Sequence, residues 1–204
     1  YNLGIILLCA PVMKALLKKP INLRKELRKV IENAGILECS LIIDAIKYAN
    51  PGGLKKYKGA SNVLKRKQEK KKIHEIMLIS SSWDRISKCY VDNYSEIFDF
   101  GLPFFNNLKK KVSKEKAIQM LYLGYASKSP DSHLLRKFGS YKANTVMKMF
   151  KFLSLRVFRN PNKNFDYQIR LLDTYLKNFN YNPGTCADLT VTTLLIDKIK
   201  DIFK

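Results

Sequence analysis

Glycine, proline, cysteine and acidic residues are all in short supply in this 204-residue chain, and each shortage excludes something. Nine glycines and seven prolines are too few for a collagenous, repetitive or linker-rich protein. The glycines never spell a phosphate loop, a dinucleotide fingerprint or a nucleophile elbow, and the Gly52-Gly53 pair has no strand before it. Four cysteines (Cys9, Cys39, Cys89 and Cys186) lie far apart in apolar helical stretches. Neither a zinc site nor a disulfide framework is indicated, and reduced thiols in a cytoplasmic protein are the expectation. No Ser–His–Asp or Cys–His arrangement can be argued. The opening apolar run, from Gly4 to Met13, is ten residues long. A bilayer needs roughly 18 to 20, so no membrane partner is expected. Tyr1-Asn2 is not the basic start of a secretory signal, and the natural start of the chain is expected to lie upstream.

What the chain has is helix. Leu, Ile, Lys, Ala and Met fill its long segments, and no useful strand alternation or internal repeat is visible. The pattern predicts an all-α fold: a single compact multi-helix domain, residues 1–204, of about eight or nine helices. An apolar helix spans 3–19 with a bend at Pro11, and Asn22 caps an amphipathic one carrying Leu23, Leu27, Val30 and Ile31. A third runs from about Glu38 to Ala49 and stops at Asn50-Pro51-Gly52-Gly53. One long helix is predicted from Lys72 to Val91, and Ser113 caps another through Tyr125. Pro130-Asp131 opens a helix that breaks at Gly139 and resumes to about Phe158; another covers 165–178, and the last begins at Asn182-Pro183-Gly184-Thr185 and continues to the end.

Charge is lopsided, with 38 Lys plus Arg against 17 Asp plus Glu, net +21. Such a field draws polyanions, whether nucleic acid, anionic lipid or phosphorylated metabolites; equally, the lysines could simply solvate helix backs. The densest block, 55–72, is predicted to be a basic loop insert leading into a helix. Only Tyr57 interleaves its lysines, whereas base-stacking grooves use several aromatics, so a nucleic-acid partner ranks behind other readings.

Two turns share one physical logic. Ser129-Pro130-Asp131-Ser132-His133 and Asn182-Pro183-Gly184-Thr185 each feed a helix N-terminus, where free N–H groups and the helix dipole attract anions. Gly184 lets a phosphate approach and Thr185 adds a hydroxyl; the same residues also make ordinary caps. Asp188 shares a helical face with Val191, Leu195 and Ile199, Asp84 with Ile73, Met77 and Val91, and Asp131 with Leu135 and Phe138. A carboxylate on an apolar face must be paired, metal-bound or protonated. His133, Arg136 and Lys137 line the other face of their helix, suited to polyphosphate or simply to solvent. His74, among lysines, reads as surface.

Taken in order, these segments resemble the signature of the triphosphoribosyl-dephospho-CoA synthase family, in its archaeal-type branch. The matching stretches are Asn2-Leu3-Gly4 with Leu7-Leu8 and Pro11, Ala49-Asn50-Pro51-Gly52-Gly53-Leu54, and Asp84-Arg85-Ile86 with Tyr90. They continue through Ser129-Pro130-Asp131-Ser132-His133, with Arg136-Lys137 and Gly139, to Asn182-Pro183-Gly184-Thr185-Cys186-Ala187-Asp188-Leu189. The resemblance implies a helical transferase that moves the triphosphoribosyl part of ATP to the 2′-hydroxyl of dephospho-CoA, or of a related cofactor-pathway acceptor, and releases adenine. It implies magnesium with ATP as substrate. On this reading Asp131 and Asp188 are metal ligands or base, and Asp84 is a third acid. Arg136 and Lys137 meet phosphate, and Asn2, Gly52, Gly53, His133, Asn182, Gly184 and Thr185 complete the nucleotide site. Against the family pattern, the N-terminal third with its Lys-Pro-Gly segment is missing here. Ser61-Asn62-Val63 stands where an acidic residue is usual, and Cys39-Ser40 where Asp-Ala is common. Two rival readings follow. One is a basic nucleic-acid-binding helical module. The other is an inactive helical subunit that needs a separate N-terminal chain, to which exposed apolar surface on residues 3–13 would point.

Overall fold

A computed structural model of the chain describes residues 2–53 and 71–202, and among these the structure is helical, without a strand. The helices are α1 (Leu3–Leu16), α2 (Leu23–Glu32), α3 (Ile36–Ala49), α4 (Ile73–Ser80), α5 (Arg85–Val91), a π-helical segment (Glu96–Gly101) and α6 (Leu102–Lys109). They continue with α7 (Lys114–Lys128), α8 (Ser132–Phe138), α9 (Ser140–Arg159), α10 (Asp166–Asn178) and α11 (Gly184–Ile202). Within the stretch predicted as a basic insert, residues 55–70 lie outside the described residues.

The all-α class is as expected; the number of helices is not. Eleven α-helices occur among the described residues, against the eight or nine expected. The predicted long helix from 72 to 91 is two. The Ser80 and Ser81 hydroxyls bond the carbonyls of Met77 and Leu78 three residues back, and Asp84 starts a fresh helix by accepting the Ser87 N–H at 2.9 Å. Asp84 is therefore buried because it caps α5, not because it rides an apolar helical face. A π-helical segment and α6 fill 96–109, a stretch the sequence pattern left unassigned. They follow Asn93 and Tyr94, both at positive φ, where the chain turns sharply after α5.

One hydrophobic core runs through the bundle. Helix α11 packs against α1, α7 and α8, and α7 against α6 and α9. Its buried threonines satisfy their hydroxyls within the helix: Thr190, Thr192 and Thr193 each donate to the carbonyl four residues back at 2.8 Å. Pro11, inside α1, has no N–H to offer the Leu7 carbonyl. Tyr90 supplies the missing donor from α5 at 2.6 Å, and the Tyr94 hydroxyl bonds the Leu8 carbonyl at 3.0 Å. The proline break thus becomes the clamp that fixes α1 to its neighbours.

Arg85 is the second clamp. It is buried, pairs with Glu96 at 2.6 Å, and reaches the Tyr125 carbonyl and the Cys186 sulfur. Burial works against its charge, but Cys186 and Glu96 more than offset that and hold its pKa raised. Removing one partner of such a buried pair costs several kcal/mol, roughly 3–5. Among the described residues no helix is long and apolar enough to cross a membrane.

Candidate active site

A helix head presents backbone N–H groups without internal partners, and here four heads converge. Asp131 caps α8: its Oδ1 accepts the N–H of His133 at 2.8 Å and of Leu134 at 3.1 Å. Its Oδ2 accepts the N–H of Cys186, in the first turn of α11, at 2.9 Å. One carboxylate therefore knots together the two turns singled out in the sequence. The Ser132 hydroxyl accepts the Arg85 N–H at the head of α5 at 2.8 Å, and Asp188 of α11 lies against the head of α1 beside Gly4, where the Ile5 N–H favours its charge.

A cavity of about 460 Å³ opens where these heads meet. The heads of α1, α8 and α11, with Asp84, give it a polar side, whereas α3 and α4 give it an apolar one through Ile43, Ile46, Ile76 and Ile79. Gly4 makes the close approach of α1 possible, since a Cβ there would stand 1.9 Å from Asp188 Oδ2. Gly53 sits at φ +86°, and a Cβ on it would meet the Arg136 carbonyl at 2.5 Å; the turn after α3 can thus lie directly on α8. Arg136 ties that turn down, donating to the Gly52 carbonyl at 3.0 Å and to Asp84 Oδ2 at 3.1 Å.

The three acids differ in what they have left to offer. Asp131 is 4% exposed and engaged by three amides; Asp84 holds one amide and Arg136. Asp188 lines the cavity and forms no ion pair among the described residues. Burial first, then the neighbouring Asp131 and Asp84, push its pKa up to about 7, against the Ile5 N–H and Arg136, which pull it down. The expected apolar face around it is only partly real: Ile199 is buried but Val191 is exposed, and Asp188 turns inward because Gly4 leaves room. His133 lies against Gly52 and Gly184, and burial and Arg136 lower its pKa, so its ring is neutral at neutral pH.

Of the residues expected at the site, Asn2, Gly52, Asp84, His133, Arg136, Asn182, Gly184, Thr185 and Asp188 line the cavity. Asp131 stands behind it, holding the heads together, while Gly53 shapes the turn. Lys137 does not line the wall; its ammonium lies over the Phe138 ring at 5.1 Å. Sequence reasoning missed Trp83, Ser80 and Ser87, which also line the cavity. The serine run before Asp84 was the available signal, and reading 72–91 as one helix hid it. Among the described residues no three His, Cys, Asp or Glu side chains gather as a metal-holding group.

The family described as ATP:dephospho-CoA triphosphoribosyl transferase matches residues 1–204. In fold, the chain is similar to the crystal structure of a candidate triphosphoribosyl-dephospho-CoA synthase from Archaeoglobus fulgidus. The TM-score is 0.72 at 20% identity, covering 96% of this chain and 81% of that one. No curated protein matches the sequence.

Proposed function

This chain belongs to the ATP:dephospho-CoA triphosphoribosyl transferase family, and from that premise we propose that the cavity at the four helix heads is its active site. The enzyme is a triphosphoribosyl-dephospho-CoA synthase-like transferase, with ATP and dephospho-CoA as its substrates. In this reading the 2′-hydroxyl of dephospho-CoA attacks the anomeric carbon of ATP. The new C–O bond forms as the C–N bond to adenine breaks; adenine leaves with that electron pair and takes up a proton.

Asp188 accepts the proton of the attacking hydroxyl. A pKa near 7 suits a base at neutral pH, because the ionised form is populated and still basic. Asp84, oriented by Arg136, faces the positive charge that develops on the ribose. Arg136 and the heads of α1 and α11 receive the triphosphate, with Gly184 and Thr185 at the point of approach. His133, neutral, can donate one hydrogen bond without competing for the proton. Asp131 acts as a positioning residue, since its oxygens already serve three amides. Magnesium would enter as part of the Mg–ATP substrate and neutralise the triphosphate.

One observation carries this reading: a half-buried carboxylate without an ion pair among the described residues faces a cavity built from helix heads. The test is incubation with Mg–ATP and dephospho-CoA, measuring free adenine and a triphosphoribosylated product. Adenine release that requires both substrates is expected; no release with either would contradict it.

A second reading has its own observation. Ile6 is 62% and Met13 48% exposed on α1, an apolar surface that a partner chain would cover if this were an inactive helical subunit. Turnover by the chain alone would exclude that reading.

A further inference from the structure

The cavity has more apolar wall than a triphosphate can use. Ile43 and Ile46 of α3, with Ile76, Met77 and Ile79 of α4, form one side of it. Trp83, the single tryptophan of the chain, stands half-buried in the break between α4 and α5 and lines the same space. Beside it Ser80 and Ser87, their hydroxyls joined at 2.8 Å, also line the cavity. Two hydroxyls sharing one hydrogen bond keep lone pairs free for further contacts. A flat aromatic wall, branched aliphatic neighbours and a polar edge together suit a heteroaromatic ring with amino and ring-nitrogen groups. They suit a flexible aliphatic arm less well, because it would cover the polar edge without offering it a hydrogen-bond partner.

We propose that the Trp83 side of the cavity is the seat of an adenine ring. This rests on the transferase reading for the choice of nucleotide, since both substrates carry adenine. The geometry favours the ring of ATP. Trp83 is adjacent in sequence to Asp84, and Asp84 bonds Arg136 at 3.1 Å. A nucleotide with its base at Trp83 and its phosphates toward Arg136 thus brings its glycosidic carbon to Asp84, where the bond to adenine must break. The indole then acts on leaving-group binding as well as on affinity.

A single tryptophan gives a direct readout. Titrating the chain with adenosine should produce a saturable change in its fluorescence, whereas inorganic tripolyphosphate should compete with ATP without reproducing that change. Trp83→Leu should raise KM for ATP roughly tenfold, the scale of one base–aromatic stack, with an unchanged unfolding midpoint, and Trp83→Phe should recover most of it. A rise in KM for dephospho-CoA instead would keep the adenine seat and assign it to the acceptor. Adenosine that leaves the emission of the wild-type chain unchanged overturns the proposal, as does wild-type KM for both substrates in a folded Trp83→Leu. The two readings fail separately. Adenine release with no role for Trp83 leaves the transferase standing, and adenosine binding at Trp83 without any turnover leaves only the base seat.

Discussion

Two aspartates close two helix junctions in this molecule, and they have opposite characters. At the α8–α11 junction Asp131 is buried, its two oxygens spent on three backbone amides. At the α1–α11 junction Asp188 lies near the Ile5 N–H and faces the cavity, and burial pushes its pKa up to about 7. The side chains are chemically identical. The difference lies in how many donors each junction supplies: a carboxylate whose lone pairs are filled becomes a structural knot, and one left short becomes a reagent. The knot also sustains the reagent, since Asp131 is one of the charges that raise the pKa of Asp188.

Substitution should separate the two sites. Asp188→Asn is expected to reduce kcat by up to about 10⁴-fold, the upper range for loss of a positioned base, without loss of stability at neutral pH. The pH dependence has a definite sign. With a folded pKa of about 7 against the ordinary 3.8, the folded chain holds the extra proton between those values. Stability from this group therefore falls as pH rises through that window, and unfolding midpoints from pH 4 to 8 should show the slope in wild type and lose it in Asp188→Asn. Asp131→Ala should act first on stability, costing about 3 kcal/mol in chemical denaturation for three amides, two of them buried, left without an acceptor. If Asp131→Ala unfolds at the wild-type denaturant concentration, the knot is not one. The smallest effect is expected at Gly4→Ala. An added Cβ would stand 1.9 Å from Asp188 Oδ2 and displace the carboxylate, and a fall in kcat of about a hundredfold is the scale of a misplacement of roughly an ångström. An unchanged kcat there would mean that the position of Asp188 is immaterial.

Local chemistry made much of the fold legible. Asn22, Ser113 and Asp131 announce their helices because a cap is a contact over two or three residues, and each bonds the N–H expected of it. The break between α4 and α5 was not legible, because Ile73, Met77 and Val91 keep a helical register across it and masked the serine run. At the site, the turns at 130 and 183 stood out as separate anion-attracting heads. That one carboxylate joins them depends on a bond between positions 131 and 186, which no local pattern encodes. The apolar side of the cavity was equally hidden, since isoleucines on α3 and α4 read as ordinary core. Which inward acid is left free could be told only from the partners of the other two.

The most direct measurement is the titration of the Asp188 carboxyl itself, followed by carbon NMR in the free chain and assigned with Asp188→Asn. A midpoint near 7 is expected, moving down when Asp84→Asn removes a neighbouring charge. A carboxyl that titrates in the ordinary range around 3.8 would show that the cavity holds no poised base.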